Sequence, residues 1–141
     1  MQTEQAVSYT PRVLIVEDET LIAEELKDRL EGFGFSVIAI VDTAEQGVRI
    51  ATAEIPDLVL MDIRLKGKKD GVQASIEIRR HVDIPVIYLT AYSDRATLDR
   101  AKNTNPYGYI LKPFHERELQ VAIELAMHRH CLERQAQQRR Q

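Results

Sequence analysis

Five short apolar runs punctuate the chain, starting at intervals of about 20 to 30 residues: Val13-Leu14-Ile15-Val16, Val37 to Val41, Leu58-Val59-Leu60-Met61, Val86-Ile87-Tyr88-Leu89 and Tyr109-Ile110-Leu111. They are rich in β-branched residues and continuous rather than alternating, the pattern of parallel strands covered on both faces. The segments between them carry helical spacing. In the first, Leu21, Ile22, Leu26 and Leu30 recur at i, i+4, with Asp18, Glu19 or Thr20 as N-cap and Gly32 and Gly34 as the stop. A second helix is expected over Thr43 to Glu54, ended by Pro56. A third is expected over Gly71 to His81, with Val72 and Ile76 on the buried face and Arg79-Arg80 on the wet one. A fourth is expected over Asp94 to Asn103. The last starts near His115 and presents Leu119, Ile123, Ala126 and Met127 to the core.

Five βα units in succession predict an α/β fold: a doubly wound parallel sheet with right-handed crossovers and helices on both faces. Ligands of such sheets sit outside the carboxyl ends of the strands. Those ends are chemically loaded here. The first strand runs into Glu17-Asp18-Glu19, the third into Asp62, the fourth into Thr90-Ala91 and the fifth into Lys112-Pro113. Carboxylates brought together repel and raise one another's pKa unless a cation intervenes. An all-oxygen set suits Mg²⁺, which keeps several waters beside one or two carboxylates. A carboxylate nucleophile, a metal, an ammonium and a hydroxyl donor suffice for phosphoryl transfer, which needs mainly alignment and charge stabilisation.

Composition narrows the setting. The chain has 141 residues, enough for one domain, and its 44% hydrophobic and 29% charged residues balance as in a soluble globular protein. A formal net charge of -3 disfavours nucleic acid as a direct partner. Cys131 is the single cysteine, so no internal disulfide can form. No apolar run suggests a membrane span, and Met1 to Thr10 lacks the pattern of a signal peptide. The expectation is a cytoplasmic protein with residues 1–10 disordered.

The series Val16-Glu17-Asp18-Glu19, Leu60-Met61-Asp62-Ile63-Arg64-Leu65, Tyr88-Leu89-Thr90-Ala91 and Tyr109-Ile110-Leu111-Lys112-Pro113-Phe114 resembles the receiver domain of two-component response regulators. The resemblance covers residues 12 to 127, within a receiver domain expected over 11–127. It implies a flavodoxin-like five-stranded sheet ordered 2-1-3-4-5, with Asp62 as the phosphorylated residue. Asp18 would bind Mg²⁺ directly, Glu17 would assist through water, and Asp62 and the backbone carbonyl of Arg64 would complete the protein ligands. Lys112 would pair with the phosphoryl oxygens and Thr90 would donate a hydrogen bond to one of them. Thr90 and Tyr109 would form the switch, and the Lys112-Pro113 bond would be cis. The implied partners are a histidine kinase or phosphotransfer protein upstream, and an effector or further domain on the face made by the fourth helix, fifth strand and fifth helix.

The chain departs from the pattern after Asp62. Receivers commonly carry Pro four residues on and Gly eight residues on. Here Lys66 takes the first place and the glycine is Gly71, nine on, in a basic loop with Arg64, Lys66, Lys68 and Lys69. A solvated loop is the plain reading; a kinase- or phosphate-steering surface is the sharper one. Arg64 and Tyr92, each two residues beyond a key position, are large and are expected to hinder the water that hydrolyses a phosphoaspartate. A phosphatase acting on outside substrates would want an acid where Arg64 stands. A degenerate receiver serving as a constitutive scaffold would not need Asp18, Asp62, Thr90 and Lys112 together. His128 and His130 are two apart and point to different sides of a helix, which argues against a metal site.

Residues 128–141 continue without Pro or Gly, so the last helix is expected to overrun the domain as an extension or linker. Alone it would fray. Leu125, His128, Leu132 and Gln135 space as a weak seam, which leaves a frayed tail, a homodimerising helix or a link to a further domain as its fates.

Overall fold

The computed structural model describes residues 9–91 and 95–140. The apolar runs are its strands: β1 (Arg12–Val16), β2 (Ser36–Val41), β3 (Leu58–Asp62), β4 (Val86–Ala91) and β5 (Gly108–Lys112). They alternate with α1 (Thr20–Gly32), α2 (Ala44–Glu54), α3 (Gly71–His81), α4 (Arg95–Lys102) and α5 (Glu116–Arg139). All strand pairs are parallel, in one sheet ordered β2-β1-β3-β4-β5. This is the expected flavodoxin-like arrangement. Tyr92 and the expected start of the fourth helix at Asp94 lie outside the described residues, as do residues 1–8.

The strands read as unbroken apolar runs because successive residues enter two different cores. Val13, Ile15, Leu58, Leu60, Ile87 and Leu89 face α1 and α5, where Leu26, Leu30, Leu119, Ile123 and Ala126 meet them. Leu14, Val16, Val59, Met61, Val86 and Tyr88 face the opposite layer, with Ala44, Ala51, Val72, Ala74, Ile78 and Ala101 from α2, α3 and α4. The period-two alternation of a strand thus divides one apolar run between two layers.

Two expected core positions are corrected. Leu21 is 85% exposed, because the buried stripe of α1 is Ala23, Leu26 and Leu30. Ile76 is 41% exposed, because the buried stripe of α3 runs through Gly71, Val72, Ala74, Ser75 and Ile78. At about 100° per residue Leu21 falls on the face of α1 opposite Ala23, Leu26 and Leu30, whereas Ile76 falls just outside the buried arc of α3.

The helix starts are set by local chemistry. Thr43 Oγ1 accepts from the Gln46 N–H at 3.2 Å and opens α2. Asp70 and Gln73 form a reciprocal capping box at 2.9 Å each way and open α3. Glu19 precedes α1 but caps nothing with its side chain. Its own N–H donates to Glu17 Oε2 at 3.1 Å, tying the helix start to the end of β1.

Past residue 127, α5 continues as a helix to Arg139. Its extension is fastened to the loop before β5. The Arg129 guanidinium lies 4.4 Å from the Tyr107 ring centroid and Arg79 lies 5.5 Å away. The Tyr107 hydroxyl donates to the Glu133 carboxylate, and His130 Nε2 stands 3.1 Å from Asp83 Oδ1. Leu125 and Leu132, two members of the expected seam, are exposed.

Candidate phosphoryl-acceptor site

Because the strands are parallel, their carboxyl ends share one edge, and the polar residues that follow each apolar run meet there. Glu17 is 2% exposed, Asp62 4% and Thr90 2%, and with Ser75 they are the buried polar side chains among the described residues. Nine residues, Asp18, Glu19, Asp62, Ile63, Arg64, Lys66, Thr90, Ala91 and Lys112, line a cleft of about 340 Å³. Of the residues predicted from sequence, Asp18, Asp62, Arg64, Thr90 and Lys112 line this cleft, and Glu17 joins Asp18 and Asp62 in one acidic cluster. Tyr109 stands apart, half-buried on β5, with its ring centroid 6.2 Å from that of Tyr88.

Lys112 reaches across from β5 to three carboxylates. Its Nζ lies 2.8 Å from Glu17 Oε1, 3.1 Å from Asp62 Oδ2 and 3.6 Å from Glu19 Oε1. Only the contact with Asp62 is aligned as a hydrogen bond. Glu17 Oε1 is therefore charge-paired yet left without an aligned donor among the described residues. The other oxygens are held by backbone: Arg64 N–H donates to Asp62 Oδ1 and Lys66 N–H to Asp18 Oδ2, each at 3.1 Å. The Thr90 hydroxyl donates to the carbonyl of Ala91 at 3.2 Å. The Lys112-Pro113 peptide is cis.

Charge does not balance in this cluster. Burial, followed by the adjacent Glu17, pushes the Asp62 carboxyl up to about 7, and Lys112 offsets only part of that rise. Burial alone would lower the Lys112 ammonium, but Glu17 and Asp62 outweigh it and hold its pKa above the usual value. The two shifts agree once one ammonium is seen to serve two buried carboxylates: the lysine keeps its proton, and one negative charge is in excess.

That excess is what a hard cation relieves. Glu17, Asp18 and Asp62 each offer an oxygen within 4.8 Å of the others. The donors are all oxygen, and one of them is buried without an aligned hydrogen bond. The residues present therefore fit a divalent ion of the magnesium type.

Two features of the site were not legible in the chain. The hold of the Lys66 N–H on Asp18 depends on a loop whose path sequence does not give. Gly71 was visible as a pattern residue, but not its reason: a Cβ there would lie 2.0 Å from the Asp62 carbonyl oxygen. Its N–H also donates to the Ile63 carbonyl at 2.7 Å, so the start of α3 presses directly on the strand that carries Asp62.

Comparison with known proteins gives this geometry its place. The family model of the response regulator receiver domain matches residues 13–124. The chain belongs to that family. Among its relatives, the transcriptional regulatory protein PdtaR of Mycobacterium tuberculosis is 35% identical over 90% of this chain and 62% of its own length. The phyllosphere-induced regulator PhyR of Methylorubrum extorquens is 34% identical over 88% of this chain and 46% of its own. The chain thus spans about half to two thirds of these curated relatives.

Among solved structures, the signal receiver domain of a modulated diguanylate cyclase from Desulfovibrio desulfuricans is 40% identical, with a TM-score of 0.84. That match covers 89% of this chain and 99% of the other. The receiver domain of a sensor histidine kinase from Pseudomonas aeruginosa, described with a magnesium ion in its active site cleft, is 29% identical with a TM-score of 0.77. It covers 85% of this chain and 99% of its own. No described helix is long and apolar enough to cross a membrane.

Proposed function

We propose that this receiver accepts a phosphoryl group on Asp62 from a histidine kinase or phosphotransfer protein and, so modified, changes the face of α4, β5 and α5 for a downstream partner. The observation that carries the proposal is the placement of Asp62, buried at a strand end, 3.1 Å from an ammonium and within one acidic cluster with Glu17 and Asp18.

Glu17, Asp18, Asp62 and the Arg64 carbonyl would hold Mg²⁺. When bound, the ion neutralises excess carboxylate charge and offsets the charge of the arriving phosphoryl oxygens. The ionised Asp62 carboxylate is the nucleophile. As its oxygen bonds to phosphorus, the bond from phosphorus to the donor nitrogen breaks, and the imidazole of the donor keeps the electron pair. Lys112, already directed at Asp62, pairs with the new oxygens. The Thr90 hydroxyl, which donates to the Ala91 carbonyl before transfer, turns to the phosphoryl group. Its departure makes room for Tyr109, which sits on the adjacent strand beside Tyr88. This is a local electrostatic event acting on a two-state element. The protein acts as a cytoplasmic signalling switch rather than an enzyme on outside substrates.

The test is intact-mass measurement after incubation with Mg²⁺ and a small phosphodonor, beside an Asp62→Ala variant. A single phosphoryl adduct that requires Mg²⁺ and is absent from the variant is expected. No adduct, or one indifferent to Asp62, overturns the proposal.

A further inference from the structure

The cations that line the cleft are unequally committed. Lys112 already meets Glu17, Asp62 and Glu19 within 3.6 Å. Arg64 has interactions of its own. Lys66 also lines the cleft, is exposed, and forms no ion pair through its ammonium among the described residues. Its backbone is nevertheless fixed at the root. The N–H donates to Asp18 Oδ2 at 3.1 Å, and the residue forms an isolated parallel bridge with Thr43. Gly67, at φ +100, then turns the chain away. An exposed lysine that lines the cleft, is anchored at its backbone against the acidic cluster and has no ion pair of its own among the described residues has an ammonium within side-chain reach of an anion entering the cleft.

We propose that Lys66 captures the phosphoryl group: its ammonium attracts the phosphoryl oxygens of the donor during approach and holds them over Asp62. This rests on the reading of Asp62 as phosphoacceptor. The need follows from charge. The cleft carries more carboxylates than its committed ammonium neutralises, and a phosphoryl dianion must enter against them. Lys66 lowers that barrier without entering the bonding change. In that change Asp62 gains an O–P bond, the donor's P–O or P–N bond breaks, and the leaving group retains the electron pair.

The experiment measures the initial rate of adduct formation, by intact mass, at subsaturating donor and fixed Mg²⁺. Two donors are used: a small acyl phosphate, which breaks P–O, and phosphoramidate, which breaks P–N. Wild type is compared with Lys66→Ala, Lys66→Arg and Lys66→Glu, each with its unfolding midpoint recorded. One unit charge acting on a dianion across several ångströms of water predicts Lys66→Ala to be about fivefold slower at low ionic strength. Lys66→Glu should be slower still, and Lys66→Arg within about twofold of wild type. At about 0.5 M salt the differences should shrink below about twofold, with midpoints unchanged throughout.

Equal rates for wild type and Lys66→Ala overturn the proposal. So does a slowing that persists at high salt, that Lys66→Arg shares, or that affects only one donor, since the last would place the contact on the leaving group. If wild type itself gains no adduct, the reading of Asp62 falls together with this one. A normal adduct in wild type and Lys66→Ala alike overturns only this one.

Discussion

Replacing Asp62 by asparagine should stabilise the metal-free protein at neutral and alkaline pH, although it removes a buried hydrogen-bonded ion-pair partner. The Asp62 carboxyl rises from 3.8 in the unfolded chain to about 7 in the fold, through burial first and Glu17 second. A carboxyl whose folded pKa is raised binds protons more tightly folded than unfolded. Stability from its protonated form is full below about 4 and is lost as pH climbs to about 7. At about 1.36 kcal/mol per pKa unit the whole loss is at most about 4 kcal/mol, and the part above pH 5 is about 2 to 3 kcal/mol. The amide of the Asp62→Asn variant carries no charge to suppress, and Lys112 would retain Glu17 at 2.8 Å as its partner. Urea unfolding in chelator-treated buffer at about pH 5 and pH 8 separates the effect from other titrations, because only the difference between the two proteins is read. Wild type should lose about 2 to 3 kcal/mol relative to Asp62→Asn across that interval. A variant no more stable than wild type at the higher pH, or parallel pH profiles, would refute the charge-excess account of the site.

Magnesium should raise the unfolding midpoint of wild type more at about pH 8 than at about pH 5, since the cation needs the ionised carboxylates; Asp18→Ala should lose most of that rise, as read by thermal denaturation. Gly71→Ala should destabilise the domain by about 3 kcal/mol or more in urea, because the added carbon would fall 2.0 Å from the Asp62 carbonyl oxygen. Ile55→Gly should stabilise it by about 1 kcal/mol, since Ile55 closes α2 at φ 46 while 57% exposed; an unchanged midpoint would count against strain there. Tyr107 is pushed up to about 12 by burial and by its bond to Glu133. Stability from its protonated form is full below about 10 and lost as pH rises through about 12, so Tyr107→Phe should flatten the alkaline limb of a pH–stability curve.

The fold was legible because each strand must satisfy two apolar layers, which forces continuous runs that no amphipathic helix would show. The site was legible to the same extent, since parallel strands bring whatever follows each run to one edge. Leu21 and Ile76 show where periodicity stops being enough. Leu21 lies opposite the buried stripe of α1 and Ile76 beside that of α3, so each reads as apolar in sequence but faces water in the fold. The Asp70-Gln73 capping box was present in the chain but overshadowed by Gly71 beside it, the stronger pattern signal. The Lys66 hold on Asp18 had no signal to find: it is a backbone hydrogen bond across 48 positions, and any residue except proline at position 66 could make it.

That last exception bears on how the cleft is built. A proline at position 66 would lack the N–H that now satisfies Asp18 Oδ2, so the lysine contributes through its backbone whatever its side chain does. Asp18 is thereby oriented before any cation arrives, as Asp62 is by the Arg64 N–H and Glu17 by the Glu19 N–H. Each of the three clustered carboxylates commits one oxygen to a backbone donor. The remaining oxygens of Glu17 and Asp62 converge on one ammonium that cannot neutralise both. Geometry is therefore settled in the folded chain while charge is left unresolved, and a site in that condition responds strongly to a cation or to a change in charge on Asp62. The instability predicted for the metal-free protein and the proposed sensitivity to phosphorylation have the same physical origin.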